Sequence, residues 1–175
     1  MSELNFVAVP RSRKDIRRWA EVVRSLSGNG REPRFDIVRF VELRLPLLDE
    51  EAAFAVTDDL GPGIHACTDI RARCIMIRPE IYERAVAGHG RDRMTLAHEV
   101  GHLLLHTEVQ LARRIGAAPI EAFRDPEWQA KAFAGELMVP RSLYPTGKHP
   151  AEVATLLGVS VDAVSTQLRA WKRER

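Results

Sequence analysis

The stretch DRMTLAHEVGHLLLH at residues 92–106 organises the sequence, because it combines an apolar helical stripe with closely spaced histidines. Ala97, Val100, Gly101 and Leu104 recur at helical spacing, so this stretch predicts a helix that is buried along one side. A glycine in a helix interior costs about 1 kcal/mol relative to alanine. Gly101 therefore indicates that another backbone approaches this helix closely.

His98 and His102 lie four residues apart, so a helix places both on one face, one turn above each other. Both imidazoles then reach a single metal ion. Glu99 lies about 100° around the helix from His98, which places it beside the ion, where a base that deprotonates water is needed. The composition predicts only about 0.02 such pentapeptides by chance in this chain. The pattern favours zinc.

A catalytic metal needs a third protein ligand, and two nearby candidates have clear weaknesses. His106 shares the face of His98 but lies about 12 Å from it along the helix axis, at 1.5 Å per residue. We expect His106 at the C-terminal turn of the helix, where the helix dipole favours a cation. Cys74 would complete a set of two histidines and one cysteine. The sequence lacks the glycine-rich and cysteine-centred motifs of the deformylase-like enzymes that use that set.

The preferred third ligand is Glu127. Asp125 is a typical N-cap and Pro126 a typical first helical residue, so a helix begins here with Glu127 in its first turn. Glu127 heads an otherwise apolar face, and an unpaired buried charge is very costly. Asp125 is the second choice, since we expect its side chain to be occupied as the cap.

The rest of this second helix supports the same arrangement. Ala130 and Ala134 continue the face of Glu127, and their small side chains let the helix pack tightly against Gly101. Glu136 lies nine residues after Glu127, about 180° around the helix. We therefore expect Glu136 to be a solvated charge rather than a ligand.

The flanking sequence predicts an α+β fold. Three short β-branched or alternating runs, separated by turn residues, predict a three-stranded antiparallel meander. The remaining periodic segments predict helices, and a small sheet with segregated helices is an α+β architecture. The runs are FAVTDD (54–59), GIHACTD (63–69) and RCIMIRP (73–79), and the helical segments are 11–27, the segment from an Asp36 cap to near Pro46, and those after Pro79.

Length and composition exclude several classes of protein. The chain has 175 residues, a net charge of +2 and 45% hydrophobic residues, which is typical of one globular domain. It contains no apolar run of about 18 residues that would cross a membrane. The N-terminus has no secretory signal, so we expect a cytoplasmic protein. Cys67 and Cys74 are expected to be reduced thiols, with the two residues as cross-strand neighbours around a turn.

Residues 150–172 (PAEVATLLGVSVDAVSTQLRAWK) have the spacing of a helix-turn-helix, with Gly158 at the turn. We interpret the chain as a catalytic domain over 1–145 and a helical extension over 146–175 packed on it. The extension either docks on the core or a partner, or contacts DNA. The cations that favour DNA contact are Arg169, Lys172, Arg173 and Arg175.

Over roughly residues 10–145, the sequence resembles the ImmA/IrrE-type zinc metallopeptidases. The family combines an HExxH helix with the pattern E-x-x-A-x-x-F-A-x-x-L-x-x-P, which begins here about 25 residues after His102. The matching residues are Glu127, Ala130, Phe133, Ala134, Leu137 and Pro140. The resemblance implies a zincin-like (gluzincin-like) minimal fold, Zn²⁺ held by His98, His102 and Glu127, and Glu99 as the catalytic base.

The resemblance also implies a function and a partner. Members of the family typically cleave a helix-turn-helix repressor or an antitoxin-like regulator, so we expect a zinc endopeptidase that switches gene expression. The alternative is a DNA-associated regulatory protein whose metal site is structural or inactive. Glu99 favours the enzyme, because a structural site has no use for a base. An oxyanion donor is also needed, and Tyr82, His65 and Tyr144 are the candidates.

Overall fold

The chain folds as an α+β protein in which α-helices pack against a small sheet. A computed structural model describes residues 6–28, 30–107 and 120–174, and the backbone of 112–113. The strands are β1 (Phe6–Val7), β2 (Ala53–Val56), β3 (Ala66–Asp69), β4 (Cys74–Ile77) and β5 (Ala112–Arg113). The α-helices are α1 (Arg13–Leu26), α2 (Ile37–Arg39), α3 (Leu45–Leu48), α4 (Pro79–Val86), α5 (Gly90–Leu105), α6 (Pro126–Met138), α7 (Pro150–Leu157) and α8 (Val161–Arg173).

Helices α5 and α6 pack closely against each other, with α1 on the other side of α6. A Cβ atom built on Gly101 of α5 would lie 3.0 Å from the Cα of Ala130 and 3.1 Å from its carbonyl oxygen. The predicted close approach at Gly101, and its packing against the Ala130 face, are therefore confirmed.

The main sheet is mixed, so the predicted antiparallel meander is wrong. Its order is β2-β4-β3, with β4 antiparallel to β3 but parallel to β2. The central strand β4 carries the fully buried Ile75 and Ile77, so the most apolar strand takes the position with neighbours on both sides. The segment 57–65 is longer than a hairpin loop of 2–5 residues, and it leads the chain past β4 before β3 begins. β1 and β5 form a separate antiparallel pair.

The register of β3 and β4 also corrects the predicted cysteine pair. Cys67 lies opposite Met76 and Cys74 lies opposite Asp69, so the two cysteines are diagonal rather than direct neighbours. Both thiols are free, as predicted. Burial raises the pKa of each thiol, and the nearby carboxylate of Glu99 raises that of Cys67 further.

The helical segment that Asp36 caps ends at Leu48, near Pro46 as the sequence predicts, but Pro46 itself does not terminate it. A π-helical turn at Phe40–Arg44 separates α2 from α3, and the Leu45 N–H donates to the Phe40 carbonyl across it. Pro46 therefore lies in the first turn of a new α-helical segment, where its missing N–H is tolerated.

The C-terminal hairpin of α7 and α8 packs on the N-terminal end of α5. A Cβ atom built on Gly90 would lie 2.4 Å from the carbonyl carbon of Val159 in the connection between the two helices. Val153, Leu157 and Val164 belong to the same continuous apolar core as α5. The boundary between 1–145 and 146–175 stays a prediction. Within the described ranges, every helix is too short or too polar to span a lipid bilayer.

Candidate metal centre

Three side chains from α5 and α6 converge on one point. The Nε2 atoms of His98 and His102 lie 3.1 Å apart. Glu127 approaches from the start of α6, with Oε1 3.1 Å from Nε2 of His102 and Oε2 3.4 Å from Nε2 of His98. The structure thus brings together the three residues that the sequence proposes as ligands, although Glu127 lies 25 and 29 residues after the two histidines in the chain.

The N-terminus of α6 explains how Glu127 reaches this point. The Asp125 side chain accepts the N–H of Glu127 at 2.9 Å, and Pro126 is the first helical residue. Asp125, the second choice as a ligand, is therefore the N-cap, as predicted. The contact between Gly101 and Ala130 sets the separation of the two helices, so the cap and the packing together aim Glu127 at the histidines.

The geometry of the three residues fits a divalent metal ion. A tetrahedral ion with bonds of about 2.1 Å has ligand atoms about 3.4 Å apart, close to the separations of 3.1–3.4 Å between these atoms. Two imidazole nitrogens and a carboxylate oxygen are also a common donor set for such ions. Across the part of the chain that the structure describes, His98, His102 and Glu127 are the group that could hold one.

The electrostatics of the group favour a bound cation. The close imidazole of His102, and then that of His98, holds the pKa of Glu127 far below its usual range, so the carboxylate is ionised. The Glu127 side chain is 57% exposed, and the site therefore opens to solvent. Lys131, one turn along α6, has its Nζ 3.9 Å from Oε2 of Glu127.

Glu99, the residue after His98 in α5, is buried and contacts strand β3. The hydroxyl of Thr68 lies 2.8 Å from Oε2 of Glu99 and 3.0 Å from the Glu99 carbonyl oxygen. Glu99 is not a member of the metal-holding group formed by the described residues. Sequence reasoning missed Thr68, because a threonine on a neighbouring strand carries no signal of its own.

A comparison with protein-family models identifies the family of this chain. Residues 61–169 match the model of the IrrE N-terminal-like domain, a peptidase family. The chain belongs to this family. The IrrE-like match confirms the predicted resemblance, and it includes His98, Glu99, His102 and Glu127. The protein is thus a member of a metallopeptidase family, while a comparison with curated proteins finds no significant match.

In this IrrE-like domain, His106 lies at the C-terminal end of α5, as predicted, but the helix dipole does not explain it. The side chain is completely buried. Burial, and then the neighbouring His102, lowers the pKa of His106 to about 4, so the ring is neutral near pH 7. Its Nδ1 lies 3.3 Å from Nδ1 of His102 and its Nε2 lies 3.2 Å from Oε1 of Gln129.

Glu136 is also different from its prediction, because it is buried rather than solvated. It lies on the side of α6 that faces α1, where Arg13 and Arg17 follow each other at helical spacing. Arg13 Nη1 donates to Oε1 of Glu136 at 3.1 Å and Arg17 Nε donates to Oε2 at 2.9 Å. The prediction assumed solvent on the side of α6 opposite Glu127, but α1, which precedes the matched range, covers that side.

The oxyanion donor stays a prediction for each candidate. The Tyr82 hydroxyl donates to Glu42, and the Tyr144 ring packs edge-on against Trp171 with centroids 5.4 Å apart. His65 lines a cleft at the N-terminal end of α5.

A second cleft, of about 620 Å³, reaches His98 between α5, α6 and α8. Its lining carries more positive than negative side chains, and α8 of the C-terminal hairpin forms one wall. Its lining includes the cations Arg91, Lys131 and Arg169, together with Asp162, Ala163 and Thr166 of α8.

Proposed function

We propose that the protein is a zinc-dependent endopeptidase of zincin-like fold that cleaves a helix-turn-helix repressor or an antitoxin-like regulator. The observation that carries the proposal is the convergence of His98, His102 and Glu127 within 3.4 Å of one another. A carboxylate outside this group, Glu99, lies on the next position of the same helix. This combination is typical of a catalytic rather than a structural metal site.

The roles of the residues follow from their positions. His98, His102 and Glu127 hold the ion, which when bound supplies a Lewis acid that makes water a better nucleophile near neutral pH. Glu99 takes the proton of the attacking water and returns it to the leaving amine. The hydroxyl of Thr68 orients Glu99 by hydrogen bonding to its carboxylate.

Strand β3 and the cleft beside His98 favour a peptide substrate. β3 pairs with β4 along one edge only in the described sheet, and its Thr68 contacts Glu99. An extended peptide that adds to the other edge gains main-chain hydrogen bonds next to the site. The cleft of about 620 Å³ then accepts its side chains.

The position of α8 favours this function over a DNA-associated regulator. In a helix-turn-helix, the first residues of the second helix contact the bases of DNA. Here Asp162, Ala163 and Thr166 of α8 line the cleft that reaches His98. We therefore assign this face of the hairpin to the substrate cleft.

The deciding experiment compares the wild type with Glu99→Gln. Both proteins are loaded with zinc, their metal content is measured, and each is incubated with a purified helix-turn-helix regulator encoded beside this chain. Glu99→Gln should keep its metal and lose about 100- to 10,000-fold in cleavage rate, the usual contribution of a general base. The matched control is Glu21→Gln on the exposed side of α1, which should cleave like the wild type.

Two results would contradict the proposal. Cleavage that persists in Glu99→Gln removes Glu99 from its role as the base. A salt-dependent gel shift of DNA by the wild type, without cleavage of the regulator, supports the DNA-associated alternative.

A further inference from the structure

Two buried polar side chains connect His102 to the N-terminal part of the chain. His106 at the end of α5 and Gln129 on α6 both have 0% exposure. Buried polar groups need hydrogen-bond partners. The partners of these two side chains determine which nitrogen of each histidine ring carries a proton.

The arrangement begins with Gln129. Its Nε2 donates to the carbonyl oxygens of Val9 and Phe123, each at 2.8 Å. These two acceptors use both amide protons, and the opposite orientation of the amide would place oxygen against two oxygens. The Oε1 atom of Gln129 is therefore the acceptor that faces His106.

The orientation of Gln129 fixes the proton on His106. Nε2 of His106 lies 3.2 Å from Oε1 of Gln129, an oxygen that only accepts, so Nε2 carries the proton of the neutral ring. Nδ1 of His106 then has a lone pair and lies 3.3 Å from Nδ1 of His102. His102 must donate from Nδ1, which leaves the lone pair of His102 on Nε2.

This lone pair faces the other two ligand candidates. Nε2 of His102 lies 3.1 Å from Oε1 of Glu127 and 3.1 Å from Nε2 of His98. With the proton of His102 on Nδ1, two electron-rich atoms of His102 and Glu127 face each other with no proton between them. A cation between them stabilises this arrangement.

We propose that His106 and Gln129 are positioning residues that hold His102 in its Nδ1–H tautomer, with Nε2 free to bind a divalent ion. The inference rests on the metal centre of the proposed function. It assigns a role to the third histidine of HEVGHLLLH and to a glutamine that sequence reasoning did not single out. Hydrogen bonds to the outer nitrogen of a metal-binding histidine commonly fix its tautomer and orientation.

His102, His106 and Gln129 form a chain of hydrogen bonds, called the relay below. The relay connects the metal centre to residues outside the range matched by the family model. Val9, which accepts from Gln129, precedes residues 61–169. Its segment is held in place by Ala8 N–H donating to Arg124 O at 2.8 Å and by Arg11 Nη2 donating to Leu105 O at 3.2 Å. Residues 8–11 thus help to position His102 through Gln129 and His106.

The first test measures zinc affinity of the full chain by competition with a chelator. Gln129→Met and His106→Phe remove the relay while filling the space, and each should bind zinc about 10- to 100-fold more weakly. His106→Asn keeps an acceptor opposite Nδ1 of His102 and should recover most of the affinity. The matched control is Gln167→Met, which removes another buried glutamine and should leave zinc affinity unchanged.

The second test reads the tautomer directly from long-range ¹H–¹⁵N correlations of the histidine rings in the metal-free wild type. We expect a proton on Nδ1 of His102, and a mixture of tautomers in Gln129→Met. A proton on Nε2 in the wild type overturns the relay, as does zinc affinity within twofold of the wild type in both relay variants. A wild type that binds no zinc at all overturns the proposed metal centre instead, and the tautomer measurement then still decides the relay.

Discussion

Helix α6 carries two glutamates, nine residues apart, whose surroundings are opposite. Glu127 at its N-terminus is 57% exposed and faces the imidazoles of His98 and His102. Glu136 near its C-terminus has a side chain with 0% exposure and faces the guanidinium groups of Arg13 and Arg17. The same side chain on the same helix thus meets guanidinium groups at one end and imidazole rings at the other.

The difference shows how neighbours separate a structural acid from a metal ligand. Glu136 is buried, but its charge is neutralised by two residues that always carry a proton. Glu127 faces two imidazole rings, and the imidazole nitrogens of histidine are common metal ligands. Glu99 is intermediate, because it is buried like Glu136 but receives its side-chain hydrogen bond from a neutral hydroxyl, that of Thr68. Burial alone therefore does not identify the functional acid.

The largest expected effect is that of Glu127→Ala on metal binding. A structural zinc site with four protein ligands contributes about 10–16 kcal/mol, or about 3 kcal/mol for each ligand, so the loss of one of the three ligands here should weaken zinc affinity about 100- to 1000-fold. The unfolding free energy of the metal-free protein should change by less than about 1 kcal/mol, since the side chain is exposed. Chelator competition and urea denaturation measure the two quantities. Unchanged zinc affinity would remove Glu127 from the ligand set.

Glu136→Ala should show the reverse pattern. It leaves Arg13 and Arg17 without their buried partner, so the unfolding free energy should fall by about 3 kcal/mol, while zinc affinity stays within about twofold. Glu174→Ala is the matched control, since Glu174 pairs with the same arginines from a more exposed position and should cost less than about 1 kcal/mol. Equal losses of unfolding free energy in the two variants would show that the burial of Glu136 does not strengthen its contribution to stability.

Gly101→Ala tests whether the spacing of the two helices controls Glu127. The new methyl group would lie 3.0 Å from Cα of Ala130, and such overpacking costs about 1–3 kcal/mol. We expect lower stability together with weaker zinc binding, because α6 must move away from α5. Gly61→Ala is the control, since there the added atom meets only the end of the Ile64 side chain. Loss of stability without loss of zinc affinity would show that the spacing of α5 and α6 does not control the position of Glu127.

Thr68→Val should have the smallest effect and should distinguish Glu99 from both other acids. A hydrogen bond to a charged group is worth about 1.5 kcal/mol or somewhat more, so regulator cleavage should slow about tenfold. Zinc affinity should not change, and Thr68→Ser, which keeps the hydroxyl, should cleave like the wild type. Cleavage by Thr68→Val at the wild-type rate would show that Glu99 does not need this orientation.

The parts of the fold that sequence reasoning predicted correctly depend on local interactions. The cap at Asp125, the proline at the first position of α6 and the buried face of α5 each follow from residues within one or two turns. The approach of Ala130 to Gly101 was predicted because a mid-helix glycine next to small residues favours close packing. The same signals also predicted that Glu127 lies close to His98 and His102.

The parts that were wrong depend on distant partners. The position of β4 between β2 and β3 is set by which strand is most apolar, not by the order of strands along the chain. The surroundings of Glu136 depend on α1, more than a hundred residues earlier. The orientation of His106 depends on Gln129 and, through it, on Val9. No local pattern around these residues records such contacts.

The docking of α1 on α6 has a consequence for the order of assembly in the cell. The contacts of Arg13 with Glu136 and of Arg24 with the Leu137 carbonyl span 123 and 113 residues. The ribosome therefore synthesises α1 long before α6. Until α6 emerges, the apolar side of the amphipathic α1 has no partner helix to cover it. Folding dominated by such long-range closure is slow, so the nascent chain is most vulnerable to aggregation until α6 emerges.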